Sequence, residues 1–160
     1  MEIKVVKINI PKDANVIIGQ AHFIKTVEDI YETLVGAVPG ISFGVGFCEA
    51  SGACLVRGEG NDAELKSAAQ ETALAIGAGH CFVLFMRNAF PINVMKALKD
   101  VPEICAVFCA TANPLEVLVA EIAQGRGVVG VIDGASPKGI EKEADIKWRK
   151  DLLRKLKYKL

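Results

Sequence analysis

Charge of one sign is the plainest absence in this sequence. Nineteen Lys and Arg balance nineteen Asp and Glu, so the formal net charge is zero. Binding nucleic acid through a broad basic surface needs a surplus of cations to displace counterions from phosphate. No nucleic-acid partner is expected. Long apolar runs are missing as well: nothing approaches the roughly 18 consecutive apolar residues needed to span a membrane. Residues 1–7 alternate charged and apolar side chains and hold no signal-peptide core, so no membrane partner and a cytoplasmic location are expected. Aromatics make up only 6%, leaving the core to Val, Ile, Leu and Ala. Cys-x-x-Cys pairs are absent. Cys48 and Cys54 have five residues between them, and Cys105 and Cys109 on a strand would stand about 13 Å apart. Neither spacing makes a zinc site, and no metal site is expected. The cysteines, with Cys81, are odd in number and mostly sit in apolar runs, where they act as small hydrophobes in a reducing compartment.

What is present is apolar: 51% of 160 residues. That excludes disorder and fits one domain over residues 1–160, with part of its apolar surface expected between subunits. Residues 2–10 and 15–19 read as strands joined by a turn at Pro11–Ala14. A helix is expected from Thr26, capped by its hydroxyl, to Pro39-Gly40. In Ile41–Glu49, Ile41, Phe43, Val45 and Phe47 alternate with Ser42, Gly44, Gly46 and Cys48. That is a strand with one bulky face and one nearly bare face, which lets another backbone or a ligand come close. Ala53–Arg57 reads as the next strand. Asn61 is expected to cap a helix ending at Gly77, with Glu64 completing a capping box. The apolar run from His80 to Met86 reads as a strand buried on both faces. A helix from Pro91 to Lys99 follows, then strands over 104–110, 115–122 and 128–132. Residues 141–160 read as a charged amphipathic helix docked on the body. The fold class is therefore α/β: a single domain with a mixed β-sheet and packed helices. It is neither Rossmann nor P-loop. Gly125-Arg126-Gly127-Val128-Val129-Gly130 fits the bare GxGxxG pattern, but a β-rich run follows it where the dinucleotide fingerprint needs a helix, and no GxxxxGK[ST] exists.

Polar groups with no evident structural task gather at strand ends and in Gly-rich turns, where α/β proteins bind ligands. Glu49 and Ser51 lie in one such turn, and Gly79-His80 forms another. Arg87, Asn88 and Asn93 follow a strand, while Arg126, Asp133 and Ser136 lie in the late glycine segment. Arg57, Arg87 and Arg126, each at or just past a strand end, offer planar forks suited to phosphate, the plain alternative for each being a surface salt bridge. His80 follows a flexible Gly-Ala-Gly turn. The plain alternative is a structural histidine, but the apolar run it opens favours a neutral ring, able to act as base or as nucleophile toward phosphorus. Glu49 and Asp133 are the candidates to hold that ring. Along a straight strand His80 and Arg87 would lie about 20 Å apart, so one pocket holding both needs loops or a second subunit.

The blocks Gly46–Gly52, Gly77–Phe82, Arg87–Asn93, Phe108–Pro114, Gly125–Gly127 and Gly130–Gly134 resemble the small archaeal and bacterial proteins called adenosine-specific kinases, over nearly the whole chain. The resemblance implies a homo-oligomeric α/β protein that binds adenosine or AMP, with the family's phosphorylated histidine at His80. Nothing in the residues themselves marks a triphosphate site and no cofactor is evident. Magnesium enters only if a nucleoside triphosphate is the phosphoryl donor. Three readings follow: an enzyme passing a phosphoryl group through His80, a non-catalytic AMP or adenosine sensor, or a purely structural oligomer that binds no nucleoside.

Overall fold

A computed structural model describes residues 1–160. Its elements run β1 (Glu2–Ile8), β2 (Asn15–Ala21), α1 (Thr26–Ala37), β3 (Ser42–Cys48), β4 (Val56–Gly60), α2 (Ala63–Ile76), β5 (Cys81–Arg87), α3 (Pro91–Lys99), β6 (Ile104–Thr111), β7 (Leu115–Ile122), β8 (Gly125–Asp133) and α4 (Glu143–Lys155). The chain is an α/β domain with packed helices, as its pattern implies. Its strands, however, divide between two antiparallel sheets, ordered β4-β3-β5-β2-β6 and β1-β7-β8.

The antiparallel pairing has a simple origin. A helical crossover joins strands running the same way, and α1 (β2 to β3), α2 (β4 to β5) and α3 (β5 to β6) each do so. Each time one strand is inserted between the two, β5, β3 and β2 respectively, so every adjacent pair is antiparallel. Strand β5 is buried on both faces as its unbroken apolar run requires. Cys81, Val83 and Phe85 join the core beneath α2 and the three-stranded sheet. Phe82, Leu84 and Met86 join the core beneath α1 and α3. A two-sided core reads the same in sequence whichever way the neighbouring strands run.

The bare face of β3 admits a backbone. A Cβ on Gly44 would sit 2.1 Å from the Lys66 nitrogen, and one on Gly46 2.5 Å from the Ala69 carbonyl oxygen, so α2 lies directly on the strand. Several ends differ from the sequence reading. Strand β4 starts at Val56 because the chain first turns through Cys54 at φ 51°. Asn61 does not cap α2: its amide bonds Phe43 N and Ile41 O, each at 2.8 Å, and Asp62 caps by accepting from Leu65 N at 3.1 Å. Thr26 lies inside α1 with its hydroxyl donating to the Phe23 carbonyl. Helix α4 forms, but none of its residues is buried. Its expected docking on the body does not occur within one chain.

Candidate functional site

The candidate residues separate to opposite ends of the five-stranded sheet. At the β3 and β5 ends stand Glu49, Ser51, His80 and, from the β7–β8 hairpin, Arg126. Arg126 reaches that end because Ala78 bridges to it and its guanidinium donates to the Ala75 carbonyl at 3.2 Å. Glu121 accepts from the same guanidinium and from Lys4 at 2.7 Å, and these two cations hold its carboxyl below the usual carboxylate range.

His80 is held by its backbone. Its N–H donates to the Cys48 carbonyl at 2.8 Å and its carbonyl accepts from Ala21 at 2.9 Å. That places it at φ 62°, a left-handed conformation uncommon outside glycine and of the kind that clusters at functional sites. The half-buried ring lies flat on Phe47, centroids 5.8 Å apart and planes 15° from parallel. Arg57 faces Phe47 across the β3–β4 ladder, and both project from one face of the sheet. Glu49, two residues beyond Phe47, pairs with Arg57 at 2.9 Å and accepts the Leu55 N–H at 2.8 Å. That N–H first, and then Arg57, depress the Glu49 carboxyl below its ordinary range. The Arg57 Nε is buried without an acceptor, a donor left free across the ladder from Phe47. Neither proposed holder bonds the His80 ring. Glu49 is occupied as described, while Asp133 accepts from Thr111 at 2.7 Å and Asn113 at 3.1 Å near the other end of the sheet.

A cavity of about 670 Å³ opens between the β3–β4 loop, the end of α2 and the β7–β8 hairpin. Glu49, Ala50, Leu55, Gly79, Gln124 and Arg126 line it. The size falls within the roughly 300–1,000 Å³ typical of small-ligand clefts. Gly79 has no side chain to intrude, and a Cβ there would come within 3.1 Å of Ala50. Glu49 belongs to both this cavity and the cluster around His80. Ser51 lies on the exposed loop beside them.

At the far end Arg87 forks onto Glu64 at 2.9 and 3.0 Å and donates to the Lys12 carbonyl at 3.0 Å. Glu64 is therefore an ion-pair partner and not part of a capping box. Asn93 caps α3 by accepting the Phe90 N–H at 2.8 Å, and Asn88 reaches the Gly40 carbonyl at 3.4 Å. Ser136 is exposed in the segment before α4. One chain thus places Glu49 and Arg126 on the cavity, with His80 next to the lining Gly79 and Ser51 on the adjoining loop but neither of them lining it, and leaves Arg87, Asn88, Asn93 and Asp133 about a strand's length away. No group of three or more His, Cys, Asp or Glu stands close enough to hold a metal ion. No helix is long and apolar enough to cross a membrane. Phe47 and Gln124 were not legible as site features, whereas Arg57 was, as a phosphate-suited fork at a strand end. Phe47 reads as core, Gln124 as a turn, and only the ladder shows Arg57 facing the residue on which His80 lies.

The comparisons with known proteins agree with this architecture. The sequence model of the family described as adenosine specific kinase matches residues 6–159. The crystal structure of the PH1918 protein from Pyrococcus horikoshii OT3 superposes with a TM-score of 0.96 at 44% identity, covering 99% of this chain and 98% of that one. No curated protein matches. With the family match running across nearly its whole length, this chain belongs to the adenosine specific kinase family.

Proposed function

We propose that the chain binds adenosine or AMP at the β3–β5 end of the sheet and passes a phosphoryl group through His80 as part of a homo-oligomer. The observation that carries this is the strained, half-exposed His80. Its ring makes no hydrogen bond and stacks on Phe47, which faces Arg57 across the ladder, and its chain neighbour Gly79 lines a nucleoside-sized cavity that His80 itself does not line. In the first step a ring nitrogen attacks phosphorus, a P–N bond forms and the donor's P–O bond breaks. In the second a ribose hydroxyl attacks the same phosphorus, loses its proton and releases the imidazole. Arg57 and Arg126 supply positive charge for the phosphoryl oxygens. A nucleoside triphosphate donor would bring a magnesium ion on its phosphates.

The absence of a group holding the His80 ring favours a second reading, in which the site senses AMP without turnover. A catalytic histidine is ordinarily oriented through its other nitrogen. Calorimetry with adenosine, AMP and ATP tests the ligand class: AMP should bind more tightly than ATP, and the reverse order refutes the proposal. His80→Gly separates the two readings. Removing a non-glycine residue from a left-handed position recovers roughly 1–2 kcal/mol. Losing the ring stack forfeits about 0.5–1.5 kcal/mol, so the melting temperature should shift by only a few degrees. Phosphohistidine and turnover should disappear in an enzyme, while a sensor should merely bind AMP more weakly.

A further inference from the structure

Two apolar surfaces of this chain lie largely open. One is the outer face of the three-stranded sheet. Ile3 and Val5 of β1, Leu118 of β7, and Val129 and Ile132 of β8 point away from the core. Ile3 is 51%, Val5 58%, Val129 61% and Ile132 48% exposed. A sheet face that meets water ordinarily carries polar side chains at such positions; here β-branched residues surround a half-buried Leu118. The other surface is the stripe of α4. Ile146, Leu152, Leu153 and Leu156 recur at helical spacing with Trp148 beside them; the first three are half-buried, none is buried, and Trp148 and Leu156 are 65% and 54% exposed. A helix of 13 residues is marginal in water without a partner for its apolar side.

The surfaces match in shape. Helix α4 is about 20 Å long and about 10 Å wide. Three strands of seven to nine residues make a face about 23–30 Å long and about 10 Å across. The tail and the rest of the chain also differ in charge. Residues 141–160 hold eight basic and four acidic side chains, a net +4, so the remaining residues carry −4. Both surfaces stay open in the same chain, so α4 does not cover its own sheet. The nine residues from 134 to 142 can extend about 30 Å, far enough to reach a neighbouring molecule.

We propose that α4 of one copy packs on the outer face of the three-stranded sheet of a second copy, making the C-terminal helix the arm that holds the homo-oligomer together. This rests on the homo-oligomer named in the proposed function and assigns its surfaces. Reciprocal exchange between two copies, or a closed ring of them, would cover every stripe and every sheet face.

Photo-crosslinking with light scattering tests it. Two differently tagged full-length copies are co-expressed, one carrying benzoylphenylalanine in place of Trp148. The crosslinked peptides should join position 148 of one copy to residues 2–8 or 125–133 of the other. In light scattering, Val5→Lys with Val129→Lys, and separately Leu156→Glu, should each weaken assembly by about a hundredfold or more while the circular dichroism spectrum is retained. A wild-type chain that is monomeric at micromolar concentration overturns both the proposal and the homo-oligomer. An oligomer that neither variant weakens, or crosslinks confined to one copy or to other surfaces, overturns the proposal alone and leaves the oligomer standing.

Discussion

Single residues take their chemistry from where the fold leaves them, and the five cysteines show it in a measurable way. Cys48 and Cys109 are buried, and desolvation pushes each thiol up to about 11. Burial, with those two neighbours beside it, drives Cys81 higher still. Cys54 and Cys105 are exposed. Because the thiolate is the reactive form, an aromatic disulfide reagent at pH 8 should label two thiols promptly in the folded chain and five after denaturation. Three or more prompt thiols would show that the core around Cys81 opens. Glu49 titrates in the opposite sense. Its folded-state value is depressed by the Leu55 N–H and Arg57, so the latch between the β3–β4 loop and β4 is fully formed above about pH 4.3, the ordinary glutamate value. It is lost as pH falls through the lowered one. His80 was legible as a candidate because glycines flank it in an otherwise apolar run. Its lack of a holder was not, since hydrogen-bond partners from β3 and β4 depend on a ladder that no local pattern encodes.

Elements were legible where periodicity and breakers agreed. Helices α1, α2 and α3 lie close to where their apolar spacing and their Pro or Gly ends put them, and β5 is two-sided as its composition requires. The sheet order was not legible, because the crossover pattern is equally compatible with adjacent parallel strands or with one strand slipped between them. The small face of β3 could be seen in the sequence, but not its occupant. Now that α2 is known to fill it, Gly44→Ala and Gly46→Ala should each destabilise the chain. Overpacking of this kind costs about 1–3 kcal/mol, occasionally more, and a chain of this size loses about 2–4 °C of melting temperature per kcal/mol. Gly36 is the internal control. It is exposed in α1, and a Cβ there would meet nothing within 4 Å, so Gly36→Ala should stabilise by about 0.5–1 kcal/mol through helix propensity alone. Differential scanning calorimetry of the three variants checks both signs. A Gly46→Ala protein as stable as the parent would mean that α2 does not rest on β3.

For the whole molecule the question is where so much apolar surface goes in a short chain without net charge. Two cores absorb much of it, but the outer sheet face and α4 remain uncovered. A neutral chain with exposed apolar patches tends to associate, and segregating +4 in the tail against −4 elsewhere gives that association a direction. If assembly stabilises the folded chain, its melting temperature must depend on concentration, because a partner that binds only the native state adds free energy by mass action. Raising the protein concentration a hundredfold is worth at most about 2.7 kcal/mol on that account, which at about 2–4 °C per kcal/mol predicts a rise of several degrees. Leu156→Glu, which removes one apolar contact of the arm, should flatten the dependence at dilute concentrations without changing the melting temperature of the separated chain, since Leu156 touches no core in one copy. Salt should act in between. Screening the opposed charges weakens the arm's attraction, whereas burial of Trp148 and the leucines is left intact, so the concentration dependence should shrink at high salt but persist. A melting temperature that is independent of concentration from about 1 to about 100 micromolar, a range over which mass action must show, would mean that the arm and the sheet face go uncovered in solution.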